Sequence, residues 1–223
     1  MSRNFSFAPG EYYHVYNRGV EKRKIFLKKS DYDRMMFLLY ICNNTEPVHI
    51  QNYRGLISME KFSLPREETL VDIGAVCLMP NHFHLLLKEK IDNGISLFMQ
   101  KLTTAYTMYF NKLNDRSGAL FQGTFKSVHA NKDEYLNYLY AYIHLNPIKI
   151  IESNWKEEGI KNLSKAKDFL DSYKFSSYQE YCGQVRPESY ILNRKVFPDY
   201  FQDKSSFRDF INDWLKFRDS IEV

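Results

Sequence analysis

Tyr12, His14 and Tyr16 alternate with Tyr13 and Val15 over residues 12–16, a period-two pattern that predicts a strand, and Asn17-Arg18-Gly19 supplies turn chemistry after it. Ser30-Asp31 then offers an N-cap to a helix carrying Met35, Met36, Leu38, Leu39 and Cys42, with Asn43-Asn44 as its stop. Residues 45–69 lack a clear period and contain Pro47, Gly55 and Pro65, so they are read as an inserted loop. Residues 71–79 and 82–88 are apolar runs joined by Pro80-Asn81, the pattern of an antiparallel hairpin expected at the centre of a sheet. From 94 to 113 apolar residues (Ile95, Phe98, Leu102, Tyr106, Tyr109, Phe110) recur at helical spacing until Asp115-Arg116-Ser117-Gly118. Residues 120–130 again read as a strand. Asn131, with Glu134 three residues on, has capping-box spacing for a last core helix ending near Leu145, before Asn146-Pro147.

The order strand, helix, strand, strand, helix, strand, helix predicts an α+β fold: a ferredoxin-like or RRM-like sandwich, an antiparallel sheet with helices packed on it. The expected organisation is a core over residues 1–150, with the loop at about 45–69, and a helical C-terminal extension over 151–223 packed on it through anchors such as Trp155, Phe175, Trp214 and Phe217.

Composition changes this picture little. Hydrophobic residues at 44% and charged residues at 26% describe an ordinary globular chain, which excludes disordered and fibrous classes. The load of 17 Tyr and 17 Phe serves core packing first, and base stacking where rings are exposed. Cys42, Cys77 and Cys182 are odd in number and widely spaced, which argues against a disulfide framework or a cysteine zinc site and fits a reducing cytoplasm. No signal-peptide pattern or membrane-length apolar run is read, so no membrane partner is expected. Net charge is only +4, but residues 1–29 hold seven bases against two acids, so the positive excess is local.

Candidate chemistry lies in two places. His82 and His84 share one face of their strand, and two converging imidazoles suit a divalent ion, although such a pair is more often a polar strand face or a set of satisfied core groups. Tyr142 and Asn146 are one helical turn apart, so a phenol and an amide oxygen share a side; Tyr135, Tyr138 and Tyr140 offer the same phenol in the same helix.

Four ordered blocks go further: Tyr13-His14-Val15-Tyr16-Asn17-Arg18-Gly19, Met79-Pro80-Asn81-His82-Phe83-His84-Leu85-Leu86, Leu120-Phe121-Gln122-Gly123-Thr124-Phe125 and Tyr142-Ile143-His144-Leu145-Asn146-Pro147. Together with Phe175-Ser176-Ser177-Tyr178, they resemble the REP-associated tyrosine transposases, single-tyrosine HUH transposases of the insertion-sequence 200/605 type. The chain departs from many relatives at Phe121 and Gly123, where they carry Trp and Arg.

The resemblance implies that His82, His84 and Asn146 hold Mg²⁺ or Mn²⁺ and that Tyr142 is the nucleophile of a single-stranded DNA endonuclease and strand transferase forming a 5′-phosphotyrosine. Arg18, Lys22, Arg23, Lys24 and Lys126 are the expected contacts to hairpin DNA of palindromic repeats, and the protein acts as monomer or homodimer. The alternative is a domesticated module that binds structured nucleic acid without cutting it. His14, His129 and His144 are read as structural, with His14 near enough to the basic segment to touch DNA.

Overall fold

The computed structural model describes residues 6–49, 53 and 58–216; Arg3, Phe217 and part of the expected 45–69 loop lie outside them. In chain order the elements are β1 (Tyr12–Arg18), α1 (Lys29–Ile41), α2 (Ser58–Phe62), β2 (Val71–Met79), β3 (His82–Glu89), α3 (Gly94–Leu113), β4 (Lys126–His129) and α4 (Asp133–Leu145), continued by a 3-10 turn at Asn146–Ile150. Four helices follow: α5 (Trp155–Glu158), α6 (Leu163–Ser172), α7 (Tyr178–Tyr181) and α8 (Lys204–Lys216). The four strands form one antiparallel sheet in the order β2-β3-β1-β4, which is the ferredoxin-like arrangement.

Strand alternation sorts the side chains onto two faces. Tyr13, Val15, Phe83, Leu85 and Leu87 enter one core with α1 and α3, which buries Met35, Leu38, Leu39, Ile95, Phe98, Leu102 and Tyr106. Leu86, Ala75, Cys77 and Met79 enter a second core on the opposite face, closed by Leu136, Leu139, Tyr140 and Ile143 of α4 and by Leu170 and Phe207 of the C-terminal helices. A bulge between Ile73 and Ala75 lets Ile73 and Val76, three residues apart, point into the same core. Gly74 sits at that bulge because a Cβ there would come within 2.7 Å of the Phe197 ring.

The hairpin is not the centre of the sheet: β3 and β1 are central, and β2 is an edge strand. Its edge is covered by the C-terminal segment, which accepts from Leu78 N at Phe175 O and donates from Ser177 N to Val76 O and from Asn193 N to Ile73 O. Covering satisfies the unpaired edge groups and explains why all nine residues of β2 are buried. Three local expectations also differ. The strand expected over 120–130 is confined to Lys126–His129, with one isolated bridge from Phe121 to Gly19. Lys132, with no side-chain hydrogen bond, occupies the N-cap of α4 in place of Asn131. Within the 45–69 stretch, α2 forms and buries Phe62.

Helix α1 begins before Ser30, because Asp31 acts from inside the first turn. Its Oδ2 accepts from the backbone N of Leu27 at 2.8 Å and of Lys28 at 3.1 Å, and its Oδ1 accepts from the Tyr109 hydroxyl at 3.0 Å. With Asp31 fully buried, Asp31→Ala strands three donors and is expected to cost roughly 2–4 kcal/mol, read as a lower urea midpoint at unchanged m.

Candidate active site

Residues paired across antiparallel strands project to the same face, so the register decides which side chains meet. Tyr16 lies opposite His84 on one side and Lys126 on the other, and Arg18 lies opposite His82. His14, Tyr16, His82, His84 and Lys126 therefore share the face that α4 covers. His82 is half-buried and His84 buried, with ring centroids 5.0 Å apart and planes nearly perpendicular.

Hydrogen bonds leave the same nitrogen uncommitted on both rings. His82 Nδ1 is 2.6 Å from Asn81 Oδ1, and Asn81 Nδ2 donates to Lys22 O, so the Asn oxygen must face the imidazole and Nδ1 must carry the proton. His84 Nδ1 is 2.9 Å from His14 Nε2. Each ring thus has Nδ1 engaged and Nε2 available to a ligand. Burial, with the charges of Lys149 and Arg18, draws His82 down to about 4. Burial and the neighbouring His14 hold His84 well below the ordinary range, so both are neutral at pH 7, the form that binds metals.

Among the four tyrosines of α4, Tyr142 is the one set against these rings. Its ring centroid is 5.3 Å from that of His84 and 5.4 Å from that of His14, edge-on to both. Tyr140 points into the core against Tyr181 and Phe201, while Tyr138 packs between Tyr142, Tyr135 and Trp214, and among the described residues neither it nor Tyr135 has a ring contact with a histidine. Burial raises the Tyr142 phenol, and a hydrogen bond from Asn146 opposes the rise. Asn146 Nδ2 also donates to Tyr142 O at 2.7 Å, whereas its Oδ1 is buried and has no hydrogen-bond partner. An unpartnered buried amide oxygen, one helical turn from a phenol that packs against His84, is a donor that a hard cation could take up. Among the described residues no three His, Cys, Asp or Glu side chains group as a metal site.

Lys149 and Lys156 were not singled out from the sequence. Lys156 Nζ lies 4.5 Å from the centre of the Tyr142 ring. The residue as a whole is exposed, but local desolvation at that ring, together with the Lys149 charge, draws its ammonium down to about 8. Lys149 follows Tyr142 and Asn146 at i+7 and i+3, a helical spacing that continues their face and was the available signal. His14, read as structural, is buried and bonded to His84, which places it against the imidazole pair. His129 and His144 lie outside the site, His129 paired with Glu11 and His144 bonded to Tyr140 O and Ser177 Oγ.

Of the expected DNA contacts, Arg18, Lys22, Lys24 and Lys126 are exposed, and Arg18 Nε donates to the Gln122 side chain. Arg23 is half-buried, with Nε lacking a hydrogen-bond partner. A cavity of about 990 Å³ lies elsewhere, beside Arg34, Cys42 and Lys101 on the far side of α1 and α3, and holds none of these groups.

Residues 60–146, which carry His82, His84, Tyr142 and Asn146, match the family described as transposase, IS200-like. Over that span the chain is similar to the IS200-like transposases. The matched segment covers the sheet strands β2 to β4 and α4, while β1 with His14 and the helices after Ile150 lie outside it. No curated protein sequence matches. Among solved structures, the chain is similar to a REP-associated tyrosine transposase bound to a REP hairpin, with 14% identity, a TM-score of 0.49 and 92% of each chain covered. It is similar also to a bacterial tRNA(His) guanylyltransferase-like protein in complex with ATP, with 12% identity, a TM-score of 0.39, and 77% of this chain and 71% of that one covered. The Saccharomyces cerevisiae tRNA(His) guanylyltransferase gives 12% identity, a TM-score of 0.38, and 89% and 86% covered. No helix among the described residues is long and apolar enough to cross a membrane.

Proposed function

We propose that this protein is a transposase, a metal-dependent endonuclease and strand transferase for single-stranded hairpin DNA, with Tyr142 as nucleophile and His82, His84 and Asn146 holding Mg²⁺ or Mn²⁺. The observation that carries this reading is the meeting of one phenol with the paired imidazoles, beside an amide oxygen that has nothing else to bind. Three neutral donors leave the charge of a bound dication uncompensated, so the remaining positions suit phosphate oxygens, and the ion would act there as a Lewis acid.

The chain's own groups do the rest. Lys149 and Lys156 line the approach to Tyr142 and favour the phosphodiester beside it; Arg18, Lys22, Arg23, Lys24 and Lys126 carry the flanking backbone. The Tyr142 oxygen loses its proton and attacks phosphorus, the bond from phosphorus to the 3′-oxygen breaks, and that oxygen leaves as a hydroxyl after taking up a proton. The product is a 5′-phosphotyrosine, whose ester energy is retained, so a second 3′-hydroxyl can displace Tyr142 and join strands without ATP.

End-labelled hairpin DNA with an unpaired flank, incubated with the protein and Mn²⁺, is expected to yield a covalent species of retarded mobility on a denaturing gel. Tyr142→Phe, which removes only one hydroxyl, is expected to lower its yield by at least about 1,000-fold while DNA affinity changes less than about threefold. Cleavage with no protein attached to either product would replace this reading with metal-dependent hydrolysis by water.

A further inference from the structure

A groove of about 600 Å³ runs beside the β2–β3 turn, outside the cluster around Tyr142. Its walls come from the basic segment before α1 (Lys24, Leu27, Lys28), from Pro80 of the turn, and from the end of α6 with the link after it (Phe169, Tyr173, Lys174, Phe175). Its floor is a ladder of rings. Tyr32 stacks on Phe26 at 4.5 Å and on Phe175 at 4.1 Å, Phe175 meets Tyr173 edge-on at 5.8 Å, and Tyr173 meets Phe169 at 5.6 Å. Tyr32 is sandwiched between Phe26 and Phe175, whereas Phe169, Tyr173 and Phe175 are half-buried and keep ring surface open to the groove.

Charge sets the class of occupant. Lysines 24, 28, 29 and 174 line the groove and no carboxylate does. Lys29 is engaged by Asp33 at 2.6 Å, while among the described residues no acid lies within ion-pairing reach of Lys24, Lys28 or Lys174. Cations around open aromatic surface suit a ligand that alternates phosphates with flat bases, and a groove of this size suits one nucleotide or two.

Position ties the groove to the reaction. Pro80 O accepts from Ile25 N at 2.8 Å and Phe26 N at 3.1 Å, which fastens the basic segment to the turn. His82 starts only two residues past Pro80, at most about 7 Å of backbone. We propose that this groove holds unpaired nucleotides flanking the scissile phosphate, stacking a base on Phe169, Tyr173 or Phe175 and placing the phosphates among Lys24, Lys28 and Lys174. The inference rests on the single-stranded DNA reading above and adds a subsite built largely from residues outside the matched segment.

The test uses the full chain carrying Tyr142→Phe, so that binding is read without cutting. A fluorescent DNA hairpin with a short thymine flank is compared with the same hairpin lacking it and with one whose flank is abasic. The intact flank is expected to tighten binding about tenfold or more over either. Lys24→Glu, Lys28→Glu and Lys174→Glu combined are expected to abolish that advantage and to lower the slope of log affinity against log salt by about 2. Phe169→Ala, checked for an unchanged thermal midpoint, should lower the advantage at least threefold while leaving the flankless hairpin alone. A 5-iodouracil in the flank is expected to crosslink to Phe169, Tyr173 or Phe175. A flank advantage that survives both sets of substitutions, a crosslink elsewhere, or no DNA binding overturns the subsite. Failure of the nuclease reading is seen separately, as a wild-type protein that binds DNA but forms no covalent species.

Discussion

Lowering the pH from 6.5 to 5 is expected to remove about 3 kcal/mol of the folding stability of the metal-free protein. The cause is histidines buried in neutral form: His144 and His14 account for that figure, and His82 and His84, also held low, add to it. His144 is fully buried, with Nδ1 at 2.8 Å from Tyr140 O and Nε2 at 2.7 Å from Ser177 Oγ, and burial draws its pKa down to about 3. His14 is 5% exposed, bonded to His84, and drawn down to about 4 by burial. In the unfolded chain both return to about 6.5 and take up protons first. Their contribution is therefore intact above 6.5, lost at up to ~1.4 kcal/mol per pH unit for each as pH falls, and exhausted near the folded values. The buried carboxyl of Glu89, raised by desolvation, works in the opposite direction and offsets part of the loss. Urea titrations at pH 7.5, 6.5 and 5 would read the effect as a falling midpoint, and a midpoint unchanged over that range would contradict it.

His14→Phe is expected to weaken Mn²⁺ binding by about 10- to 100-fold, although His14 is not itself proposed as a ligand. For His84 to coordinate through Nε2, its proton must sit on Nδ1, and the group facing Nδ1 at 2.9 Å is His14 Nε2. His14 then accepts, with its own proton on Nδ1, and fixes both the tautomer and the ring plane of His84. Phenylalanine keeps the stacked shape but removes the acceptor; glutamine restores an oxygen and should recover part of the affinity. Calorimetric titration with Mn²⁺ measures the affinity directly. In parallel, the nitrogen chemical shifts of His84 should move from the Nδ1-protonated pattern toward a mixture in His14→Phe. Equal affinity in wild type and His14→Phe would show that His14 only packs.

The parts of the fold legible in the sequence were those with a local period. Helix α3 carries seven buried residues at helical spacing and its expected limits, 94 and 113, coincide with the observed ones, and the β2–β3 hairpin follows from two apolar runs around Pro80-Asn81. What could not be read is set by pairings far apart in sequence. Covering of the β2 edge joins Val76 to Ser177 and Ile73 to Asn193, contacts that no local pattern encodes. Helix α1 started early because a buried carboxylate can satisfy two amides from the third position, an arrangement that propensity alone does not separate from an N-cap.

The same division runs through the site. His82 and His84 share a strand face by period alone, and Tyr142 with Asn146 shares a helix face by spacing alone. Choosing Tyr142 from four tyrosines required resemblance, since Tyr140 points to the core only because of how α4 lies on the sheet. His14 joins the imidazoles through the register of β1 on β3, which pairs Tyr16 with His84 and leaves His14 on the diagonal. Lys156 reaches the Tyr142 ring across the turn after α4, and nothing in its local sequence marks it.

The proposal depends on one phenolic oxygen forming a bond to phosphorus. After reaction with a flanked DNA hairpin and Mn²⁺, nuclease digestion of the DNA and peptide mass spectrometry would locate the nucleotide remnant. The expected result is a 5′-linked remnant on the peptide bearing Tyr142, absent without divalent metal. A remnant on Tyr135, Tyr138 or Tyr140, or DNA cut with no remnant on any tyrosine, would contradict it.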